Sequence, residues 1–175
     1  MLGQRYAHNM KRMPAQSTHP AGTSSRTTPV DQAPMAGITA ALGYVKDTGT
    51  AKGRGVFASR RLSAGEIVEA CPVIVLPSRW NQMPTEVQHV VFDWGFLTRQ
   101  RAASCLALGW GSMYNHANPA NLRYVALADQ GIMQFVAARE IEADEELTIN
   151  YNETGGDISS TEDVWFKNAG VAPIV

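Results

Sequence analysis

The chain has 175 residues, 45% of them hydrophobic and 18% charged, with a formal net charge of −1. That length suits one domain able to bury a core without metal or disulfide staples, and the balance excludes a disordered or collagen-like chain. Its two cysteines, Cys71 and Cys105, lie far apart in apolar surroundings, which excludes a disulfide framework or a thiolate zinc site and leaves buried thiols in a reducing, cytoplasmic compartment as the expectation.

The charge is unevenly spread. From Met1 to Arg61 there are nine Lys/Arg against two acidic residues, and from Ala138 to Asp163 nine acidic residues against the single Arg139. Such runs serve either as solvated faces or, near a site, as a field that steers a lysine-rich partner. No stretch approaches the roughly 18 apolar residues that cross a bilayer, and the N-terminus lacks the apolar core of a secretory signal.

Residues 1–35 are rich in Ser, Thr, Pro, Ala and Gln and basic, which predicts a disordered arm. Its composition fits an organelle transit peptide, a tail touching nucleic acid or a plain extension; Met10, Met13 and Met35 also offer later starts. Nucleic-acid binding rests on this arm alone and is not the expected function.

Short strands are predicted over 38–45, 55–59 and 66–76, where β-branched and aromatic residues are punctuated by Gly, Pro and Asp. The run 62–65 is a tight turn between two of them. Ser78 is the expected cap of a short helix that Pro84 limits. Strands follow over 89–94 and 104–108, then a hairpin of 122–128 and 132–136 around Asp129-Gln130-Gly131. A charged connection over 139–145 leads to the last core strand, 146–151. A short helix is expected over 161–168, capped by Thr161 and carrying Trp165 and Phe166. The sum is a mostly β domain of many short strands with few short helices.

Three segments carry chemistry. In Lys52-Gly53-Arg54-Gly55 two glycines let the backbone turn sharply and approach a ligand. It fails as a dinucleotide fingerprint, because a strand follows and the third glycine is missing. In Tyr114-Asn115-His116, after an apolar lead-in, the Asn and His serve by default as turn formers or internal hydrogen-bonders. Tyr151 ends a strand, by default a half-buried packing residue. The four histidines are scattered and supply no metal-ligand cluster. A serine hydrolase is disfavoured because no Gly-x-Ser-x-Gly elbow accompanies them.

Taken together and in this order, these segments, with Glu145-Glu146-Leu147-Thr148 leading into Asn150-Tyr151, resemble the motifs of SET-domain protein-lysine methyltransferases. The resemblance implies a SET-like fold of several short sheets with a threaded C-terminal segment, divided as 1–35 arm, 36–151 SET domain and 152–175 closing segment. It implies S-adenosyl-L-methionine as cofactor, no metal, and a lysine-containing protein or basic peptide as substrate. Tyr151 takes the catalytic role. Lys52, Gly53, Arg54, Gly55, Tyr114, Asn115, His116, Tyr151 and Trp165 are the implied cofactor-binding residues, with His116 acting mainly through its backbone. Trp165 equally fits a plain anchor of the tail to the core. Asn121 stands where the family places the Asn of a Pro-Asn pair. The chain departs from the family at Ala117 (usually Ser), Asn118 (usually Cys) and Asn150 (usually Asp), and it lacks the zinc-binding cysteines that often follow the domain. These departures keep a second reading open, a SET-like module that binds peptide or cofactor without turnover.

Overall fold

The computed structural model describes residues 37–152, 155–170 and 172–173; the arm expected over 1–35 lies outside the described residues. Strands dominate, in two curled sheets. One has the order β1 (Gly43–Asp47), β2 (Arg54–Ala58), β9 (Glu146–Ile149) and β6 (Asn115–His116). The other runs β4 (Val91–Phe92), β5 (Ser104–Ala107), β3 (Ile67–Leu76), β8 (Ile132–Ala137) and β7 (Leu122–Leu127). The α-helices α1 (Thr85–Gln88), α2 (Trp94–Thr98) and α3 (Val164–Ala169) are all short. This is the mostly β architecture expected from the sequence.

The β7–β8 hairpin forms as predicted, because Leu122 and Tyr124 are buried while Arg123 and Val125 face out, the period-2 pattern of a half-buried strand. Gly131, at φ 62°, closes the turn in a backbone region that an L side chain rarely adopts. The parallel pairing of β6 with β9, Asn115 opposite Thr148 and His116 opposite Ile149, has no local sequence signature.

Several boundaries move. The first strand begins at Gly43 rather than Ile38; Ile38 is exposed and Thr39 contributes only an isolated bridge to Ala70. Pro84 stands at the N-cap of α1 instead of limiting a helix from Ser78. Ahead of it residues Trp80–Gln82 make a 3-10 turn, tied by the Arg79 N–H donating to Gln82 Oε1 at 3.1 Å. The strand expected over 89–94 shrinks to Val91–Phe92, and α2 follows unforeseen. Asp93 decides this: its Oδ1 accepts the Phe96 N–H at 2.9 Å, and that cap overrides the β preference of the preceding residues. At the other end, Asp163 rather than Thr161 stands at the cap position of α3.

The core is aromatic. Phe135, fully buried, packs its ring 4.9 Å from Tyr114, 6.1 Å from Phe92 and 6.3 Å from Tyr124. Gly111 lies directly against it, where a Cβ would meet the Phe135 ring at 2.6 Å. Glu69, 2% exposed, accepts the Tyr114 hydroxyl at 2.9 Å and the Trp110 N–H at 2.8 Å; burial raises its pKa, and the two bonds oppose that rise. Cys71 and Cys105 are free and buried, their thiols pushed up to about 12 by burial. Among the described residues, no helix is long and apolar enough to cross a membrane. Phe135→Ala should lower the unfolding free energy by about 3–5 kcal/mol, read from the urea midpoint at unchanged slope.

Candidate functional site

The β1–β2 connection builds the glycine loop. Thr48 donates from both its N–H and its hydroxyl to the Gly53 carbonyl, at 2.7 and 2.8 Å, and Gly53 N–H returns to the Thr50 carbonyl at 3.0 Å. Gly53 sits at φ 73° with nothing within 4 Å of where a Cβ would stand, so its backbone is open to close approach. Gly55 is the opposite case, buried, where a Cβ would fall 2.4 Å from Glu146 Oε1 and 3.0 Å from Asn115 Nδ2. Glycine is required there so that β2, β6 and β9 can meet.

Asn115 ties these elements together. Its Nδ2 donates to the Arg54 carbonyl at 3.1 Å and to Glu146 Oε1 at 2.7 Å, leaving its Oδ1 without a donor among the described residues. Arg54 therefore takes part through its carbonyl, while its side chain is exposed. In the parallel ladder Ala117 N–H donates to the Ile149 carbonyl at 3.1 Å, so the peptide groups of the alternate residue, His116, face the open edge of this edge strand.

Tyr151 follows β9 and crosses back over β6. Its N–H donates to His116 Nδ1 at 3.1 Å and its hydroxyl to the Tyr114 carbonyl at 3.0 Å. Tyr114 meets Tyr151 through that carbonyl, while its side chain is 2% exposed, bonded to Glu69 and packed against Phe135. Burial, reinforced by the Glu146 carboxylate, pushes the Tyr151 phenol up to about 12. The His116 imidazole is held below the usual range by burial; Asp163 opposes this and the nearby Lys52 ammonium adds to it. It is therefore neutral, with Nδ1 the acceptor.

Helix α3 closes the site. Trp165 packs edge-on against Tyr151 at 4.8 Å, and Phe166 edge-on against His116 at 4.7 Å. Trp165 and Tyr151 then share a cavity of about 330 Å³ with Trp80, Phe92, Tyr124 and Phe96, its lining mostly apolar. No local sequence signal marks Trp80, Phe92 or Tyr124, which come from the 3-10 turn, β4 and β7. Phe166, not among the implied site residues, is the more buried of the two.

The acidic run does not form one free acidic face. Glu140 and Glu142 pair with Arg61, Glu145 with Arg139 at 2.5 Å, and Asp144 accepts the Tyr44 hydroxyl at 2.5 Å. Exposed pairs of this kind add little to stability, because water and salt screen them. Among the described residues no group of three or more His, Cys, Asp or Glu could hold a metal ion.

In this mostly β domain a glycine loop, an Asn-His edge strand and a strand-ending tyrosine thus converge beside an aromatic cavity. The model of the SET domain family matches residues 53–152, and the chain belongs to that family. It is 30% identical over 109 residues, 62% of its own length and 72% of the relative's, to a Schizosaccharomyces pombe protein named histone-lysine N-methyltransferase, H3 lysine-37 specific. In fold it is similar to a candidate histone methyltransferase of Plasmodium falciparum, at 22% identity and a TM-score of 0.51 over 65% of this chain and 95% of that one. A chain of the humanized mutant of the Chaetomium thermophilum Polycomb Repressive Complex 2 bound to an inhibitor gives 20% identity and a TM-score of 0.51, over 67% of this chain and 16% of the other.

His116 makes the site sensitive to acid. Its folded pKa lies below the unfolded value of about 6.5, so its contribution to stability is fully present above that pH and is lost as pH falls beneath it. Urea midpoints measured from pH about 8 down to about 5 should fall, and His116→Gln should flatten the fall.

Proposed function

We propose that this protein transfers a methyl group from S-adenosyl-L-methionine to a lysine side chain of a protein substrate. The observation that carries the reading is Tyr151, a half-buried phenol whose hydroxyl donates to the Tyr114 carbonyl, with the glycine loop and β6 to one side and the aromatic cavity on the other.

The donor set suits the cofactor. Asn115 Oδ1 is a free acceptor for an ammonium, Lys52 a cation for a carboxylate, and the open edge of His116 offers one donor and one acceptor to a base edge. Gly53 gives the backbone access these contacts need. When bound, the cofactor supplies a sulfonium methyl group open to in-line displacement. The residues of this chain do the rest by alignment and by control of charge.

The acceptor must arrive as a neutral amine. A lysine with a pKa near 10.4 costs roughly 4 kcal/mol to deprotonate at neutral pH. A cavity walled by Trp80, Phe92, Tyr124 and Trp165 disfavours the ammonium and lowers that cost. Tyr151 is no base at a pKa of about 12. With its proton committed to the Tyr114 carbonyl, its oxygen lone pairs accept from the incoming amine and set its direction. The free, buried cysteines support a reducing compartment for this work, and the Schizosaccharomyces pombe relative makes a histone tail the first substrate to try.

Calorimetric titration with S-adenosyl-L-methionine followed by labelled methyl transfer to lysine-bearing histone peptides tests the reading. Saturable binding that Asn115→Ala abolishes, with label on lysine, supports it; binding without transfer would leave the non-catalytic module. Tyr151→Phe should cut kcat by roughly 100-fold with cofactor affinity little changed, and a variant working at the wild-type rate would remove Tyr151 from the mechanism.

A further inference from the structure

The segment between β9 and α3 is joined to the core by a ladder of amides. Asn118, just past β6, and Ser160 are bonded in both directions: Asn118 Nδ2 donates to the Ser160 carbonyl at 2.9 Å, and the Ser160 N–H donates to Asn118 Oδ1 at 3.0 Å. Beneath them lies Asn150, with no exposed surface, whose Nδ2 donates to Asn118 Oδ1 at 3.3 Å and to Ser160 Oγ at 3.1 Å. Asn150 Oδ1 accepts the Asn152 N–H at 3.0 Å, and Asn152 Oδ1 accepts the Trp165 N–H at 2.8 Å. The ladder thus runs from the end of β6, through the residues flanking Tyr151, to the first turn of the closing helix.

We propose that Asn118, Asn150 and Asn152 form a metal-free amide clasp whose work is to position Trp165 and Phe166 over the site. Helix α3 has six residues and buries Phe166 alone among them, too little to hold itself. Ring contacts by themselves tolerate sliding, whereas hydrogen bonds of fixed direction set the register of the segment. Asn118 and Asn150 are two of the three positions at which the sequence departs from the SET motifs it resembles, and here they bond each other and share Ser160. The departures are thereby linked, because the Asn150 amide donates to the Asn118 oxygen. The bonds from Asn118 to Trp165 join uncharged groups, and Asn152 Nδ2 in addition donates to the Asp163 carboxylate at 3.5 Å, at the cap of α3. The positioning role rests on the function proposed above; the clasp itself does not.

The test is Asn118→Ala, which removes an exposed side chain and three bonds of the ladder. Hydrogen exchange of the amides in 158–168 should quicken by roughly tenfold, with β3 and β8 unchanged. If the closed segment is the binding-competent state, the Kd for S-adenosyl-L-methionine and the KM for a lysine peptide should rise in the same proportion while kcat at saturation holds. Asn118→Asp, which keeps the acceptor and loses the donor, should fall between. In a Trp165→Ala background the substitution should have a smaller effect on Kd, because it acts in part through that ring and otherwise through Phe166. Unchanged exchange over 158–168 would overturn the clasp. Faster exchange with unaltered Kd and KM, or full additivity with Trp165→Ala, would overturn the positioning role. Failure of the wild-type protein to bind the cofactor would count against the proposed function, while the exchange measurement still decides the clasp.

Discussion

The site depends on how β9 is held. It lies between β2 and the two-residue β6, antiparallel to one and parallel to the other. A two-residue strand cannot fix that register alone. Asn121, 3% exposed, supplies the constraint: its Oδ1 accepts the Thr148 N–H at 2.8 Å and its Nδ2 donates to the Glu146 carbonyl at 2.8 Å and to Glu145 Oε1 at 3.0 Å. One buried amide therefore binds β9 at two backbone points. Because side chains alternate along a strand, a one-residue slip would turn Glu146 away from Asn115 and reverse every neighbour it has. With the register fixed, the glycine loop, the Asn-His strand and Tyr151 arrive together from positions about a hundred residues apart in the chain.

Electrostatics at the site follows from exclusion of water rather than from strong charges. Burial keeps the Tyr151 phenol protonated and His116 neutral, and each then has one defined hydrogen-bond role. Lys52 and Glu146 sit beside the glycine loop, whereas the cavity is lined mostly by apolar and aromatic residues, with Asp93 also lining it. That division separates a polar half beside the glycine loop from a mostly apolar half in the cavity. Behind it, the carboxylate of Glu69 and the ring of Phe135 hold Tyr114, so that its carbonyl stays where the Tyr151 hydroxyl needs it.

The amino-acid sequence by itself determined the mostly β class, the β7–β8 hairpin and the order of the three motifs, because hydrophobic alternation and glycine punctuation are local properties. The family resemblance also singled out Asn115, His116, Tyr151 and Trp165 as candidates, and the fold brings them together. Helix α2 was legible in principle through the capping Asp93, but the β-branched run before it outweighed that single residue. Only the tertiary structure decided that Tyr114 meets Tyr151 through its carbonyl, that Trp80, Phe92 and Tyr124 wall a common cavity, and that Asn118 and Asn150 share a partner in Ser160. Those relations join residues far apart in the chain, and which face of each a fold buries is set by packing that no local pattern encodes.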